Sequence, residues 1–264
     1  MNAEPCYFER PPRASLAGFV RCVWTFTAPA DETPQPIAPD GRPELIVHCR
    51  APYCELTNNG YVAQAPTLFA GQMTTPLTLK AQGEVAVIGV RLHPAAARAF
   101  LGFDAGATTD QRADLVSVHG EKASRLLIDV RVQPDWQRSI ELVEDYAESV
   151  LSDAELDADV VAAVDAILTR SEVLEATRLS ERQWQRRFKH EVGVSERMLQ
   201  QIVRFRRVFD EIEHPETSTW LDAALKAGYF DQPQMARDFR RFLGCTARQW
   251  ATQKAGLARA LAGG

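Results

Sequence analysis

The 264-residue sequence has no uninterrupted apolar run that could cross a bilayer, which takes about 20 residues. Its opening stretch, Met-Asn-Ala-Glu-Pro-Cys-Tyr-Phe-Glu-Arg, lacks the apolar core of a secretory signal. A cytoplasmic protein with no membrane partner is therefore expected. Cysteine is sparse and badly placed for bridging. Cys6, Cys22, Cys49, Cys54 and Cys245 are odd in number and contain no Cys-x-x-Cys pair. This argues against a disulfide framework or a structural zinc site, and for reduced thiols. No His-x-His pair occurs, and only His48 and His93 fall on expected strands. Neither a metal nor any other cofactor is expected. Basic charge is in deficit too, with 30 Lys and Arg against 35 Asp and Glu. Taken over the whole chain, that balance argues against a nucleic-acid partner.

The deficit is not evenly spread. Residues 171–254 hold 15 Lys and Arg against 12 Asp and Glu, a net charge of +3. The remainder is net −8. A partner senses the local field, which salt screens over roughly 10 Å. Inside this basic region a helical pattern occurs twice, 51 positions apart. Ser180-Glu-Arg-Gln-Trp-Gln-Arg-Arg-Phe-Lys-His-Glu-Val-Gly193 aligns with Asp231-Gln-Pro-Gln-Met-Ala-Arg-Asp-Phe-Arg-Arg-Phe-Leu-Gly244. The match extends outward, Leu174 with Leu225, Ala176 with Ala227, Ser195 with Thr246 and Arg197 with Arg248. Ser180 and Asp231 are good N-caps, and Gly193 and Gly244 are good stops. A shorter helical segment precedes each copy across a turn. That is the pattern of a helix-turn-helix, present twice.

On a 3.6-residue period Trp184, Phe188 and Val192 form one stripe, and Arg182, Gln185, Arg186 and Lys189 the opposite one. In the second copy Met235, Phe239 and Phe242 face inward, and Gln232, Ala236, Arg237 and Arg240 outward. Pro233 fits the first helical turn, where its missing N–H costs nothing. Arg can grip guanine and Gln adenine through paired hydrogen bonds, while Lys suits phosphate. The candidate DNA-binding residues are therefore Arg182, Gln185, Arg186, Lys189, Gln232, Arg237 and Arg240. A single basic amphipathic helix reads as solvated surface; two in register, each behind a helix and turn, read as a DNA interface. Residues 196–212 read as one helix joining the two copies, ended by Pro215. At 1.5 Å per residue it spans roughly 24 Å. With the width of the flanking modules, it can set the recognition helices about 34 Å apart, in successive major grooves.

The first hundred residues read as short strands, at 18–26, 44–48, 67–71 and 85–91, separated by Pro, Gly, Asp and Asn. Helices follow at 94–101, 120–129 and 134–151. The last carries an apolar stripe of Trp136, Ile140, Val143, Ala147 and Val150, read as core, with a dimer contact as the alternative. The acidic stretch 152–159 reads as a linker, and 159–169 as an opening helix. The expected fold class is thus α+β. A small amino-terminal β-barrel or sandwich with following helices spans 1–151. An all-α domain, two helix-turn-helix units joined by a long helix, spans 157–264. The second domain carries both repeats, so separating it is expected to cut no core.

Residues 159–253 resemble the DNA-binding domain of AraC/XylS-type bacterial transcriptional regulators. The segments that carry the likeness are Leu-Ser-Glu-Arg-Gln-Trp-Gln-Arg-Arg-Phe-Lys-His-Glu-Val-Gly-Val-Ser and Ala-Gly-Tyr-Phe-Asp-Gln-Pro-Gln-Met-Ala-Arg-Asp-Phe-Arg-Arg-Phe-Leu-Gly-Cys-Thr. The resemblance implies seven helices, with a long central one rigidly linking two DNA-reading units. Three positions depart from the pattern: Glu196 and Ala247 stand where Pro is usual, and Thr177 where the turn Gly is usual. Residues 37–46, 69–71 and 88–102 resemble an uncharacterised sensor-like domain often joined to this unit, which implies no ligand.

The expected function is sequence-specific, DNA-binding transcriptional regulation, with recognition helices at about 181–191 and 232–243, under control of the amino-terminal domain. Partners open to such a regulator besides double-stranded DNA are a small-molecule effector, RNA polymerase and a second copy of the chain. Trp24, Phe26, His48, Arg91 and His93 are candidates for the mouth of an effector site. The plainer reading of each is a core or strand-end residue. Asp40, Arg42 and Glu44 read as turn and ion-pair residues. The competing function is an enzyme with a metal- or thiol-dependent β domain fused to a DNA-binding module. It would need a metal cluster or an activated cysteine.

Overall fold

The computed structural model describes residues 5–171, 179–212, 219–247 and 249–250. The chain is α+β. Two antiparallel sheets come first, helices cover one of them, and a helical half follows. Strands β1 (Cys6–Arg10), β2 (Val20–Ala28), β9 (Val85–Leu92), β4 (Glu44–His48), β7 (Thr67–Ala70) and β10 (Arg112–Asp114) form one sheet in that spatial order. Strands β3 (Gln35–Ile37), β8 (Leu77–Lys80), β5 (Cys54–Thr57) and β6 (Gly60–Ala63) form the second. The sheets stack as a sandwich and do not close into a barrel. The four strongest apolar runs of the sequence are β2, β4, β7 and β9, the middle of the larger sheet together with β7 beside β10. The shorter strands carry too few apolar residues to stand out.

Period-two alternation sorts the larger sheet's side chains into two cores. Cys22, Trp24, Phe26, Val85 and Val87 face the second sheet, where Leu77 and Leu79 meet them. Val23, Leu45, Val47, Ile88 and Val90 face the helices. All eight residues of β9 are buried because both of its faces are covered, which explains a run with no polar alternation. Gly89 lies directly opposite Trp24. A Cβ there would stand 2.1 Å from the indole, so the ring occupies the space a side chain would need.

Helices α1 (Ala97–Leu101), α2 (Leu115–His119), α3 (Glu121–Val132) and α4 (Trp136–Leu151) back the larger sheet. The stripe on α4 is core: Ile140, Val143 and Ala147 are buried, and Trp136 and Val150 pack against them. Helices α5 (Ala158–Thr169), α6 (Glu181–Val192), α7 (Glu196–Ile212), α8 (Trp220–Ala227) and α9 (Gln232–Leu243) make the second half. The expected first helix of the first unit, with Leu174, Ala176 and Thr177, and the helix-ending Pro215 lie outside the described residues.

Helix α7 runs 17 residues, about 25 Å, between two separate cores. Leu199 and Val203 join Phe188, Val192, Val160 and Val164 in the first. Phe205, Val208 and Phe209 join Phe239, Phe242 and Met235 in the second. The first core also contains Ala95, which belongs to the amino-terminal half and is fully buried. The expectation that residue 157 onward can be separated without cutting a core therefore does not hold for the first unit.

Candidate nucleic-acid interface and the cavity behind it

Each repeated helix is set by its own ends. At α6 the Ser180 hydroxyl accepts from the Gln183 N–H at 3.4 Å, and Gln183 Oε1 accepts from the Ser180 N–H at 3.0 Å. This reciprocal box satisfies two donors that a helix start leaves open. Gly193, at φ +95°, ends the helix where an L side chain would be strained. At α9 Asp231 accepts from the Gln234 N–H at 2.7 Å, Pro233 sits in the first turn, and Gly244 ends the helix at φ +70°. Glu196 has taken up a tie of its own: it opens α7 and accepts from the Trp184 indole N–H at 2.7 Å.

The caps and the buried stripes fix the rotation of both helices. Phe188, Val192, Phe239 and Phe242 are fully buried. Arg182, Gln185, Arg186 and Lys189 are consequently exposed on α6, and Gln232, Arg237 and Arg240 on α9. Gln185 donates to Glu181 at 3.0 Å. The five cations of this set form no ion pair or hydrogen bond with any described residue.

Other arginines nearby are tied down. Arg187, which sequence alone groups with the same basic stretch, is gripped by Asp157 and lies 3.0 Å from Asp159, locking α6 to the start of α5. Arg207 donates to the carbonyls of Ile167 and Leu168 at 2.7 and 2.8 Å, closing the end of α5. Arg204 reaches Asp238 at 3.1 Å and lies over the Tyr229 ring, 4.6 Å from its centroid. Arg187, Arg204 and Arg207 thus hold the helices together, while the five cations of the set are left facing solvent on α6 and α9.

The amino-terminal half packs directly on the first unit. Glu191, buried on the inner side of α6, accepts from Arg98 Nε at 2.7 Å. The Thr109 hydroxyl donates to the Gly193 carbonyl at 2.5 Å. Asp104 lies 3.5 Å from His190, near the basic end of α6. Gly41, at φ +80°, presses on α7 so closely that a Cβ would stand 3.0 Å from Leu199. The Gly41 carbonyl also accepts from Gln72 at 2.9 Å.

The loop carrying Gly41 has a second face. Asp40, Arg42 and Glu44 line a cavity between the two sheets, with Trp24, Phe26, His48 and Met73 among the other walls. Of the candidate effector residues, Trp24, Phe26 and His48 line this cavity, and Arg91 and His93 do not. Arg91 lies behind the wall, buried, with Nε 2.7 Å from Glu44 and 3.8 Å from Asp40. His93 stands at the junction of the halves, its Nε2 3.2 Å from Asp165. Burial lowers its pKa more than Asp165 raises it. In the sequence Asp40, Arg42 and Glu44 are legible as turn and ion-pair residues, not as the wall of a cavity. Glu44 does form the ion pair expected of it, and the cavity behind it comes from sheet stacking, which no local pattern encodes.

Among the described residues no group of three or more His, Cys, Asp or Glu is placed to hold a metal ion. Burial pushes the thiols of Cys22 and Cys49 up to about 11 and about 12, so both are protonated at neutral pH. No helix among the described residues is long and apolar enough to cross a membrane.

Residues 173–253 match a family described as a helix-turn-helix domain, and residues 8–114 one described as a domain of unknown function (DUF6597). No curated protein matches the chain in sequence. Three solved structures with which it aligns are of ToxT from Vibrio cholerae. A substituted apo form is 11% identical, with 92% of this chain and 99% of that one covered and a TM-score of 0.45. Another crystal structure of ToxT is 9% identical, covering 89% and 97%, with a TM-score of 0.43. A form bound to an unsaturated fatty acid is 8% identical, covering 95% and 96%, with a TM-score of 0.44.

Proposed function

We propose, for a chain that is a DNA-binding transcriptional regulator with an AraC-type helix-turn-helix domain, that α6 and α9 are its two recognition helices, seated in successive major grooves. One observation carries this reading. Both helices turn cations with no ion pair to any described residue toward solvent, with Gln185 and Gln232 beside them, whereas Arg187, Arg204 and Arg207 are held by internal acids and carbonyls. An exposed Arg can bond guanine in two places and an exposed Lys can neutralise phosphate. On α9, Ala236 and Pro233 occupy some of the outward face and offer no hydrogen bond to a base. The second unit is therefore expected to read fewer positions than the first.

Control runs through the contact between the halves. The amino-terminal half touches α6 through Arg98 and Thr109 and α7 through Gly41. The loop that presses on α7 also lines the cavity. An effector in that cavity can therefore shift the joining helix. A cytoplasmic location, a second copy of the chain and RNA polymerase belong to the same proposal. Sedimentation on DNA and transcription in vitro test the last two.

The decisive experiment is selection of binding sites from random duplexes by the full chain, followed by footprinting. A bipartite site is expected, with its two halves separated by a single helical turn and the better defined half lying under α6. Binding without sequence preference, or protection of a single short segment, would overturn the two-helix assignment.

A further inference from the structure

The cavity between the sheets contains a polar side chain that the fold leaves unserved. His48 is 1% exposed, and neither ring nitrogen has a hydrogen-bond partner of good geometry among the described residues. A buried polar group in that condition has lost its water without gaining a partner, which destabilises the fold. The cavity walls are mostly hydrocarbon, with Phe26, Ile46, Leu68, Leu79 and Val87 among them, while the Tyr53 ring lies 6.0 Å from the His48 ring and Gln64 stands in the same wall. We infer that this cavity takes an uncharged, compact, mostly hydrocarbon molecule carrying one hydroxyl, and that the hydroxyl bonds the ring of His48. The inference rests on the reading of the amino-terminal half as the sensing half of a DNA-binding regulator.

Charge balance selects for a neutral ligand. The charges around the cavity are close to balanced: Arg112 is held by Glu55 at 3.0 and 3.1 Å, Arg91 by Glu44 at 2.7 Å, and Arg42, which forms no ion pair with a described residue, lines the cavity together with Asp40 and Glu44. An anion entering would meet the carboxylates of Asp40 and Glu44 at the same wall. A cation would gain little from those carboxylates, because Arg91 already lies against both. Either ion would also lose its water. Burial lowers the His48 pKa to about 4, and the Gln64 side chain acts in the opposite direction. At neutral pH the ring is uncharged, with one nitrogen a donor and the other an acceptor. A hydroxyl can donate or accept, so it satisfies whichever nitrogen faces it.

Size sets the upper limit. The cavity measures about 80 Å³, and an apolar cavity of about 150 Å³ holds benzene. At about 80 Å³ the cavity is smaller than that, so a single ring enters only where the wall gives way, and Met73, unbranched and adaptable, is the wall residue best suited to do so. Phenol is accordingly the probe of choice. Toluene matches its shape without the hydroxyl, and benzoate and benzylamine match it with a charge.

Calorimetric titration and thermal shift of the full chain test the assignment, on the wild type, on His48→Leu and on Leu77→Trp, which plugs the cavity. Phenol should bind the wild type at least about tenfold more tightly than toluene, a difference of about 1.4 kcal/mol. Benzoate and benzylamine should not bind detectably. His48→Leu should fold, since it removes an unserved polar group, and should lose the preference for phenol while keeping toluene. Leu77→Trp should lose both. The inference is overturned if toluene equals phenol on the wild type, if a charged probe binds better, if His48→Leu keeps the preference, or if no probe binds. A chain that selects its DNA site yet fails these titrations refutes the ligand class alone. One that binds phenol as stated yet has no DNA site refutes the regulator reading alone.

Discussion

Arg186 and Arg187 are neighbours in sequence and are expected to behave oppositely. Arg186 is exposed and forms no ion pair or hydrogen bond with any described residue. Truncating it to Ala removes nothing from the fold, so stability should stay within about 0.5 kcal/mol of wild type. If Arg186 grips a base, specific binding should weaken by about 1–3 kcal/mol, roughly 5- to 150-fold in Kd. Preference at one base pair should relax. Arg187 is held by Asp157 and Asp159. Its side chain is 36% exposed, which places the pair between a screened surface bridge and a buried one. Arg187→Ala should therefore cost about 1 kcal/mol of stability, not the 3–5 typical of a broken buried pair. It should leave base preference unchanged. Fluorescence anisotropy on the selected site and on a scrambled duplex measures the first effect, and thermal unfolding the second. Lys189→Ala serves as a third arm, weakening both duplexes alike and lowering the salt slope by about one. The reasoning is refuted if Arg187→Ala alters the site preference, or if Arg186→Ala leaves it intact.

Phe188→Ala and Phe239→Ala should each destabilise by roughly 3–5 kcal/mol, because both rings are fully buried beneath the outward faces. Chemical denaturation measures this, and a well-folded mutant that no longer binds DNA would mean that the rings contact DNA. The buried, neutral His48 makes stability depend on pH. Its folded pKa of about 4 lies below the ordinary 6.5, so the unfolded chain binds the extra proton between these values. The His48 contribution is fully present above pH 6.5, falls as pH drops and is lost by pH 4, about 3 kcal/mol in all. Denaturation curves of wild type and His48→Leu across that window should converge in slope only if another group is responsible. Asp104→Asn removes an acid 3.5 Å from His190, beside the basic end of α6. Nonspecific DNA affinity should rise about two- to threefold at low salt and return to the wild-type value as salt screens the site. Titrations across salt read this directly, and an unchanged affinity at low salt would place Asp104 outside the DNA field.

Local features of the helical half were legible because they rest on nearby residues. Ser180, Asp231, Gly193 and Gly244 mark helix ends within one turn of the groups they satisfy. The stripes of Phe188 and Phe239 are set by the helical period alone. In the amino-terminal half, the strands with dense apolar runs were visible. Those at Cys6–Arg10, Gln35–Ile37, Cys54–Thr57, Gly60–Ala63, Leu77–Lys80 and Arg112–Asp114 were not. They are short, partly exposed segments whose stability comes from the partners they pair with.

The sequence by itself determined that two capped helices would bury aromatic stripes and turn basic faces outward, because period and capping act over a few residues. It also determined the buried central strands, since hydrocarbon that dense must leave water. Only the tertiary structure decided which arginines remain available. Asp157, Asp238 and the carbonyls at the end of α5 reach Arg187, Arg204 and Arg207 from 30 or more positions away. It alone seated Ala95 in the core of the first unit and pressed Gly41 against α7. It alone closed hydrocarbon walls from two sheets around His48. Each of these depends on surfaces brought together by chain reversal, where the energy lies in contacts between segments and not in any one segment's pattern.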